Sequence, residues 1–186
     1  HAPDPDTPIE EALEGHQRLM DAGKVRAVGG SNYDGQGLEA ALAAAGDGRA
    51  RYEVLQPHYN LLVRDQYEGE REDVCVAEGL GVIPYFSLAS GFLTGKYRTE
   101  SDLKKSPRGS QMKSLLQGRG QCILTALDTV AARHNATPAQ VALAWLMARP
   151  SITAPIASAT SLSQLKEILS SADIALSPDD IATLDV

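Results

Sequence analysis

From Ile9 the apolar residues recur at intervals of three and four, with Ile9, Leu13, His16, Leu19 and Met20 on one face. That spacing predicts an amphipathic helix with one buried stripe. Thr7 is its expected N-cap, followed by Pro8 at the first helical position and Glu10 as the partner of a capping box, and Gly23 is a left-handed stop. The pattern then changes. Val25 to Val28 is a short apolar run ending in Gly29-Gly30-Ser31-Asn32, which predicts a strand feeding a loop. The alternation repeats with a helix marked by Leu38, Ala41, Leu42 and Ala45, a strand from Tyr52 to Gln56, and a helix carrying Tyr67, Arg71, Val74, Cys75 and Glu78. A third strand is expected from Gly81 to Tyr85.

Ser87 to Gly120 is rich in Gly, Ser, Lys and Arg and has weak periodicity, so it is expected as one long loop. Helical spacing returns at Ile123, Leu124, Leu127, Val130 and Ala131, and Thr137-Pro138-Ala139-Gln140 is a second capping box opening a helix that Arg149-Pro150 ends. Ile152 to Ala157 reads as a fourth strand. After it, Ser161 caps a helix with the apolar stripe Leu162, Leu165, Ile168 and Leu169, and a short helix follows Ser177-Pro178. Strands separated by single helices imply parallel pairing through right-handed crossovers, hence an α/β architecture. A doubly wound sheet and a (β/α) barrel both satisfy this order. In both, ligands sit at the C-terminal ends of the strands.

Composition narrows the function classes. The 186 residues are expected as one domain, 43% hydrophobic and 22% charged, in the range of ordinary folded proteins. Seventeen Lys+Arg against 24 Asp+Glu give a net charge of −7, with no basic block, which argues against nucleic acid as a partner. Cys75 and Cys122 cannot build a disulfide framework or a four-cysteine zinc site. With no membrane-length apolar run and no signal-peptide pattern, a cytoplasmic location is expected. No His, Cys and carboxylate set has metal-ligand spacing, so no metal is expected.

The predicted strand ends carry the candidate chemistry: Ser31 and Asn32, Gln56, Tyr85 and Ser87, then Ser158 and Thr160. Neutral amide and hydroxyl groups beside one aromatic ring suit a planar, amide-bearing ligand such as nicotinamide. Polar groups also gather wherever strands meet loops, so the weight lies in the repetition over four successive strands.

Several ordered motifs resemble those of the aldo-keto reductases. They are His1-Ala2-Pro3-Asp4-Pro5-Asp6-Thr7-Pro8, Gly23-Lys24-Val25-Arg26 leading to Gly30-Ser31-Asn32-Tyr33, Leu55-Gln56-Pro57-His58-Tyr59-Asn60, and Pro84 to Tyr97. Ala142 to Leu146 and Pro155 to Thr160 continue the likeness. The chain resembles the C-terminal half of that family, which implies a (β/α)8 barrel of TIM type, about whose last four β/α units it would cover. The resemblance also implies reduction of aldehydes or ketones with NADPH, or alternatively NADH.

On that resemblance Ser31, Asn32 and Gln56 would hold the nicotinamide carboxamide, and Tyr85 would stack on its ring. Ser87, Leu88, Ser90, Gly91, Leu93, Gly95 and Lys96 would hold the pyrophosphate, while Thr160, Gln164 and Glu167 would meet the adenosine end. His1 matches the active-site histidine that orients the substrate carbonyl; hydride leaves the nicotinamide while a Tyr, its pKa lowered by a Lys, protonates the carbonyl oxygen. Phe86 and Ile168 stand where the family often has Ser and Asn, and no base for a 2′-phosphate is evident near Ser158. The Tyr, Lys and Asp of the family have no match here. These residues are therefore expected to be one half of a barrel that lacks reductase activity alone and pairs with another copy or with an N-terminal half. The edges near Val28 and Ile156 would otherwise stay open.

Other features carry less. Gly35-Gln36-Gly37-Leu38-Glu39-Ala40 imitates a dinucleotide fingerprint but lies beyond the tight turn, and Gly91 to Lys96 imitates a P-loop one residue short. His16 reads as core packing and His134 as packing or dipole capping, whereas His58 would line a pocket or bond a backbone carbonyl. The segment from Ser90 to Gly120 is expected to be poorly ordered without cofactor and to tighten on dinucleotide binding. The competing readings are a non-catalytic relative that binds nucleotide or a partner protein, and an unrelated doubly wound α/β module.

Overall fold

A computed structural model describes residues 1–186. Three parallel strands, β1 (Val28–Ser31), β2 (Tyr52–Gln56) and β3 (Gly81–Val82), lie in the order β1-β2-β3. Helices α1 (Ile9–Asp21), α2 (Gly35–Ala43) and α3 (Glu70–Ala77) alternate with them along the chain. Then come α4 (Arg119–His134), α5 (Pro138–Met147), α6 (Leu162–Leu169) and α7 (Pro178–Leu184). Successive strands are neighbours with no reversal of order, which is how a barrel grows; a doubly wound sheet reverses at a switch point.

The segment predicted as a fourth strand does run beside β3, but not as a strand of the ladder. Thr153 N–H donates to the Val82 carbonyl (2.9 Å) and Ile156 N–H to that of Pro84 (3.0 Å). Pro84 has no N–H to return, so the exchange of bonds that defines a ladder is broken. The same chemistry shortens β3, which was expected to reach Tyr85. Ile83 and Tyr85 still donate to the carbonyls of Leu55 and Pro57, yet Pro57 and Pro84 give nothing back.

Three further expectations are corrected. Thr7 does not cap α1: its hydroxyl donates to the Asp4 carboxylate (2.9 Å), and Pro8 holds the cap position without a side-chain bond. Of the α1 stripe only Leu13 is fully buried, while Leu19 is exposed. Tyr67 lies outside α3, in a turn closed by its N–H to the Arg64 carbonyl; the helix waits for Gly69, whose φ of 92° few side chains tolerate.

The long segment after β3 is not structureless. Ala89–Thr94, Glu100–Lys105 and Gly109–Leu116 form short 3-10 turns, and the buried Phe92, Leu93 and Met112, with Tyr97 between the first two turns, anchor the segment without helical periodicity. Helix α5 is apolar on every side and occupies the centre, its Thr137–Gln140 capping box formed as expected. Helix α6 buries none of its residues, and Leu162, Leu165 and Leu169 are exposed. His134 closes α4 and its Nε2 meets the Asp180 carboxylate at 2.9 Å, which ties α7 to α4.

Candidate functional site

The chain leaves β1 through two glycines because nothing larger fits: a Cβ on Gly29 would lie 2.3 Å from the Val54 carbonyl oxygen. This close approach brings Ser31 level with Gln56, and the Ser31 hydroxyl donates to the Gln56 carbonyl (2.8 Å). Asn32 turns into the left-handed region at φ 60°. Its Nδ2 donates to the Ser31 hydroxyl (3.2 Å) and to the His1 carbonyl (3.1 Å), and its Oδ1 accepts from the Tyr85 hydroxyl (2.8 Å). Ser31, Asn32, Gln56, Tyr85 and the backbone of His1 are thus brought together. The Gln56 amide makes no bond within the protein and is available to a ligand.

The Tyr85 ring is held on one face by His58, with centroids 5.2 Å apart and planes 21° from parallel. The Phe86 ring meets Tyr85 edge to face, with centroids 5.1 Å apart and planes at 63°. Burial pushes the His58 pKa down, which favours the neutral form of the imidazole in the stack. His58 does not bond a backbone carbonyl; its Nε2 faces the Asn60 amide at 3.4 Å. Asn60, fully buried, also donates to the Phe86 carbonyl (2.9 Å) and accepts the N–H groups of Leu62 (2.9 Å) and Val63 (3.1 Å). Sequence reasoning gave Asn60 no role. The only signal was its place in the Gln56-to-Asn60 motif.

Beyond Tyr85 the backbone is strained in a cluster. Phe86, Ala89 and Ser90 all have positive φ, at 54°, 47° and 54°. Each such residue costs on the order of 1–3 kcal/mol, and such residues gather at ligand clamps. Ser87 is buried and its hydroxyl is spent on the Pro84 carbonyl (3.1 Å), so it holds the turn. Leu93 is buried too, leaving only its backbone for a ligand, and Leu88 packs against the core. Gly91 sits where a Cβ would come within 2.9 Å of Lys96 Nζ. That ammonium has no carboxylate partner and lies 5.0 Å from the Tyr97 ring centroid. A free cation beside an open backbone turn fits a pyrophosphate.

The adenosine-side candidates lie on and before α6. Gln164 Oε1 accepts from the Thr160 N–H (2.8 Å) and hydroxyl (2.9 Å). Glu167 accepts from the Thr137 hydroxyl (2.7 Å), joining α6 to the start of α5. A Cβ on Gly95 would lie 3.4 Å from Pro138, next to Thr137. The start of α5 therefore bridges the post-β3 turns and α6. The fingerprint-like glycines from Gly35 open α2, whose first turn is filled by its own Asp34 carboxylate on the Gly37 N–H (2.7 Å).

Sequential parallel strands with polar groups and a clamped aromatic ring at their C-terminal ends define an α/β protein of barrel type with a candidate ligand site at its rim. The chain belongs to the aldo/keto reductase family, whose model matches residues 1–186. It is 31% identical over 186 residues to a protein of Glycine max named "Probable aldo-keto reductase 1", covering 97% of this chain and 51% of that protein. It is 29% identical to "Probable voltage-gated potassium channel subunit beta" of Arabidopsis thaliana, over 94% of this chain and 55% of that one. A crystal structure of a thermostable aldo-keto reductase with the inhibitor epalrestat superposes with a TM-score of 0.76 at 26% identity, covering 100% of this chain and 57% of that chain. The chain thus spans about half the length of the relatives it matches. No helix is long and apolar enough to cross a membrane.

Proposed function

We propose that these residues form the cofactor-binding side of an NAD(P)H-dependent oxidoreductase that reduces aldehydes or ketones to alcohols, with a small carbonyl compound as substrate. The observation that carries the reading is the Tyr85 ring, fixed by His58 on one face and by Asn32 at its hydroxyl, beside the free Gln56 amide. A bound nicotinamide supplies hydride chemistry. The chain's own residues do the positioning: Tyr85 offers a flat support, Gln56 and Asn32 orient a carboxamide, and Lys96 neutralises a phosphate. Thr160, Gln164 and Glu167 lie on the adenosine side of this reading. His1 is assigned to orient the carbonyl oxygen, and the proton donor comes from outside these 186 residues.

NADPH is the proposed cofactor, with NADH as the alternative, and the proposed location is cytoplasmic. The chain is read as about the last four β/α units of a barrel. The partner that completes it is an N-terminal half, or a second copy in a homo-oligomer, seated on the open β1 edge and the exposed leucines of α6. The second reading, a nucleotide-binding relative without turnover, is favoured by the likeness to the channel-subunit protein of Arabidopsis thaliana.

Titrating the purified protein with NADPH and NADH by fluorescence, then adding a test aldehyde, separates these readings. Dinucleotide binding with turnover once the missing half is supplied supports the oxidoreductase. Binding without turnover supports the second reading. Absence of binding, or reduction of the aldehyde by a 19.8 kDa monomer of these residues alone, overturns the half-barrel assignment.

A further inference from the structure

A cavity of about 410 Å3 lies between the loop after β2, the strained turn after β3 and the segment leading into α4. Its volume is in the range of pockets that hold small organic ligands. Leu62, Val63, Phe86, Met112 and Leu115 supply apolar wall, and His58 forms part of the lining. Tyr85 does not line it. The imidazole stacked on Tyr85 therefore stands between the cavity and any ring that stacks on the opposite face of Tyr85. On the reading proposed above, a nicotinamide and the carbonyl it reduces lie beyond that wall. The cavity has no part in the hydride transfer.

The lining has a definite chemistry. Phe86 is 48% exposed, unusual for so large an apolar ring, and meets His58 edge to face at 5.4 Å. Three of the six residues with positive φ outside glycine, Phe86, Ala89 and Ser90, form one wall. Arg119 is the one guanidinium on the lining and has no carboxylate partner. Not one acid lines the cavity, although the chain has 24 Asp+Glu. The hydroxyls of Ser90 and Ser114 and the amide of Gln117 line it as well, with no bonding partner in the protein.

We propose that this cavity is a second small-molecule site, one that takes an aromatic monocarboxylate, with the aryl group against Phe86 and the carboxylate on Arg119. An aryl ring matches the exposed edge of Phe86 and the Met112 thioether. A single negative charge matches a lone guanidinium in a wall free of acids.

The test is calorimetric titration of the purified protein with 2-naphthoate, using neutral 2-naphthamide as control. The expected result is saturable one-to-one binding, at least ten-fold weaker for the amide and at least ten-fold weaker in Arg119→Gln. Ser114→Trp, at an exposed rim position, fills the mouth without touching the core and abolishes binding. A ternary complex with NADPH is expected. Equal affinity for acid and amide, no effect of Arg119→Gln, or mutual exclusion with NADPH overturns the proposal. If NADPH itself fails to bind, the oxidoreductase reading falls while the naphthoate titration still decides this one.

Discussion

The Tyr85 hydroxyl donates to Asn32 Oδ1 at 2.8 Å, linking the chain beyond β3 to the end of β1 across the width of β2. Asn32 holds φ 60°, and its amide spans Ser31 and the His1 backbone. The bond thus fixes an aromatic ring and a strained backbone together. Tyr85→Phe is expected to keep the stack on His58 but lose this bond, at a cost of about 0.5–1.5 kcal/mol. On the proposed function NADPH affinity then falls by roughly 2–10-fold, and Tyr85→Ala costs more than the Phe variant. Fluorescence titration of both variants checks the order.

Asn60 is the buried hinge of the same rim. Asn60→Ala leaves the Leu62 N–H without a partner and removes one bond each from the Phe86 carbonyl and the Val63 N–H, which keep backbone bonds to the Ala89 N–H and the residue-60 carbonyl, in a site with no exposure. Destabilisation of about 1–3 kcal/mol is expected, set by the one orphaned N–H and the lost bonds around it. Urea unfolding measures it, and a loss under 1 kcal/mol contradicts the hub role.

Asp180 should dominate one pH effect. The bond from His134 holds its carboxyl well below the usual carboxylate range, helped by Ser177 and Arg133. A carboxyl depressed in the folded state contributes stability that is complete above its unfolded value of about 4 and is lost as pH falls through the folded value. Asp180→Asn should lower stability by about 1–3 kcal/mol at neutral pH. The gap to the parent protein should narrow as pH falls below about 4, read from unfolding curves at several pH values.

The two thiols should react unequally. Cys75 is buried and burial raises its pKa to about 11, whereas Cys122 is exposed. Because the thiolate is the reactive form, a disulfide reagent at pH 8 is expected to modify one thiol per native chain quickly and both only after unfolding. Fast modification of both in the native state counts against the packing around Val74 and Tyr67.

The segment from Ser90 to Gly120 is expected to resist proteolysis better when NADPH is bound, since Gly91 and Lys96 lie at its start. Cleavage at Lys104, Lys105 or Arg108, exposed between the buried anchors Tyr97 and Met112, is the readout. Unchanged cleavage removes dinucleotide contact with this segment.

How far the sequence speaks depends on whether the information is local. The alternation of helices and strands, the Thr137 capping box, the Ser161 cap and the three strand positions follow from periodicity and short-range bonds. The Thr7 cap failed because the bond to Asp4 turns its hydroxyl back along the chain and Pro8 takes the cap position. The fourth strand failed because β propensity does not register a missing donor on the neighbouring chain. In the site, the residue types at the strand ends were legible. The Tyr85–His58 stack and the Asn60 hub were not, because each joins groups from different strands whose closeness is set only by register.

Prolines stand at one level just past the ends of two neighbouring strands, Pro57 after β2 and Pro84 after β3, with Pro155 in the segment beside them. Below that line, cross-strand backbone bonds weld the sheet into a frame indifferent to which side chains it bears. Above it, amides, hydroxyls and rings do the fastening, and these can be exchanged one at a time. The protein is thereby divided into a fixed chassis and a replaceable collar. Selection, natural or experimental, can rewrite what the rim recognises without renegotiating how the chain folds.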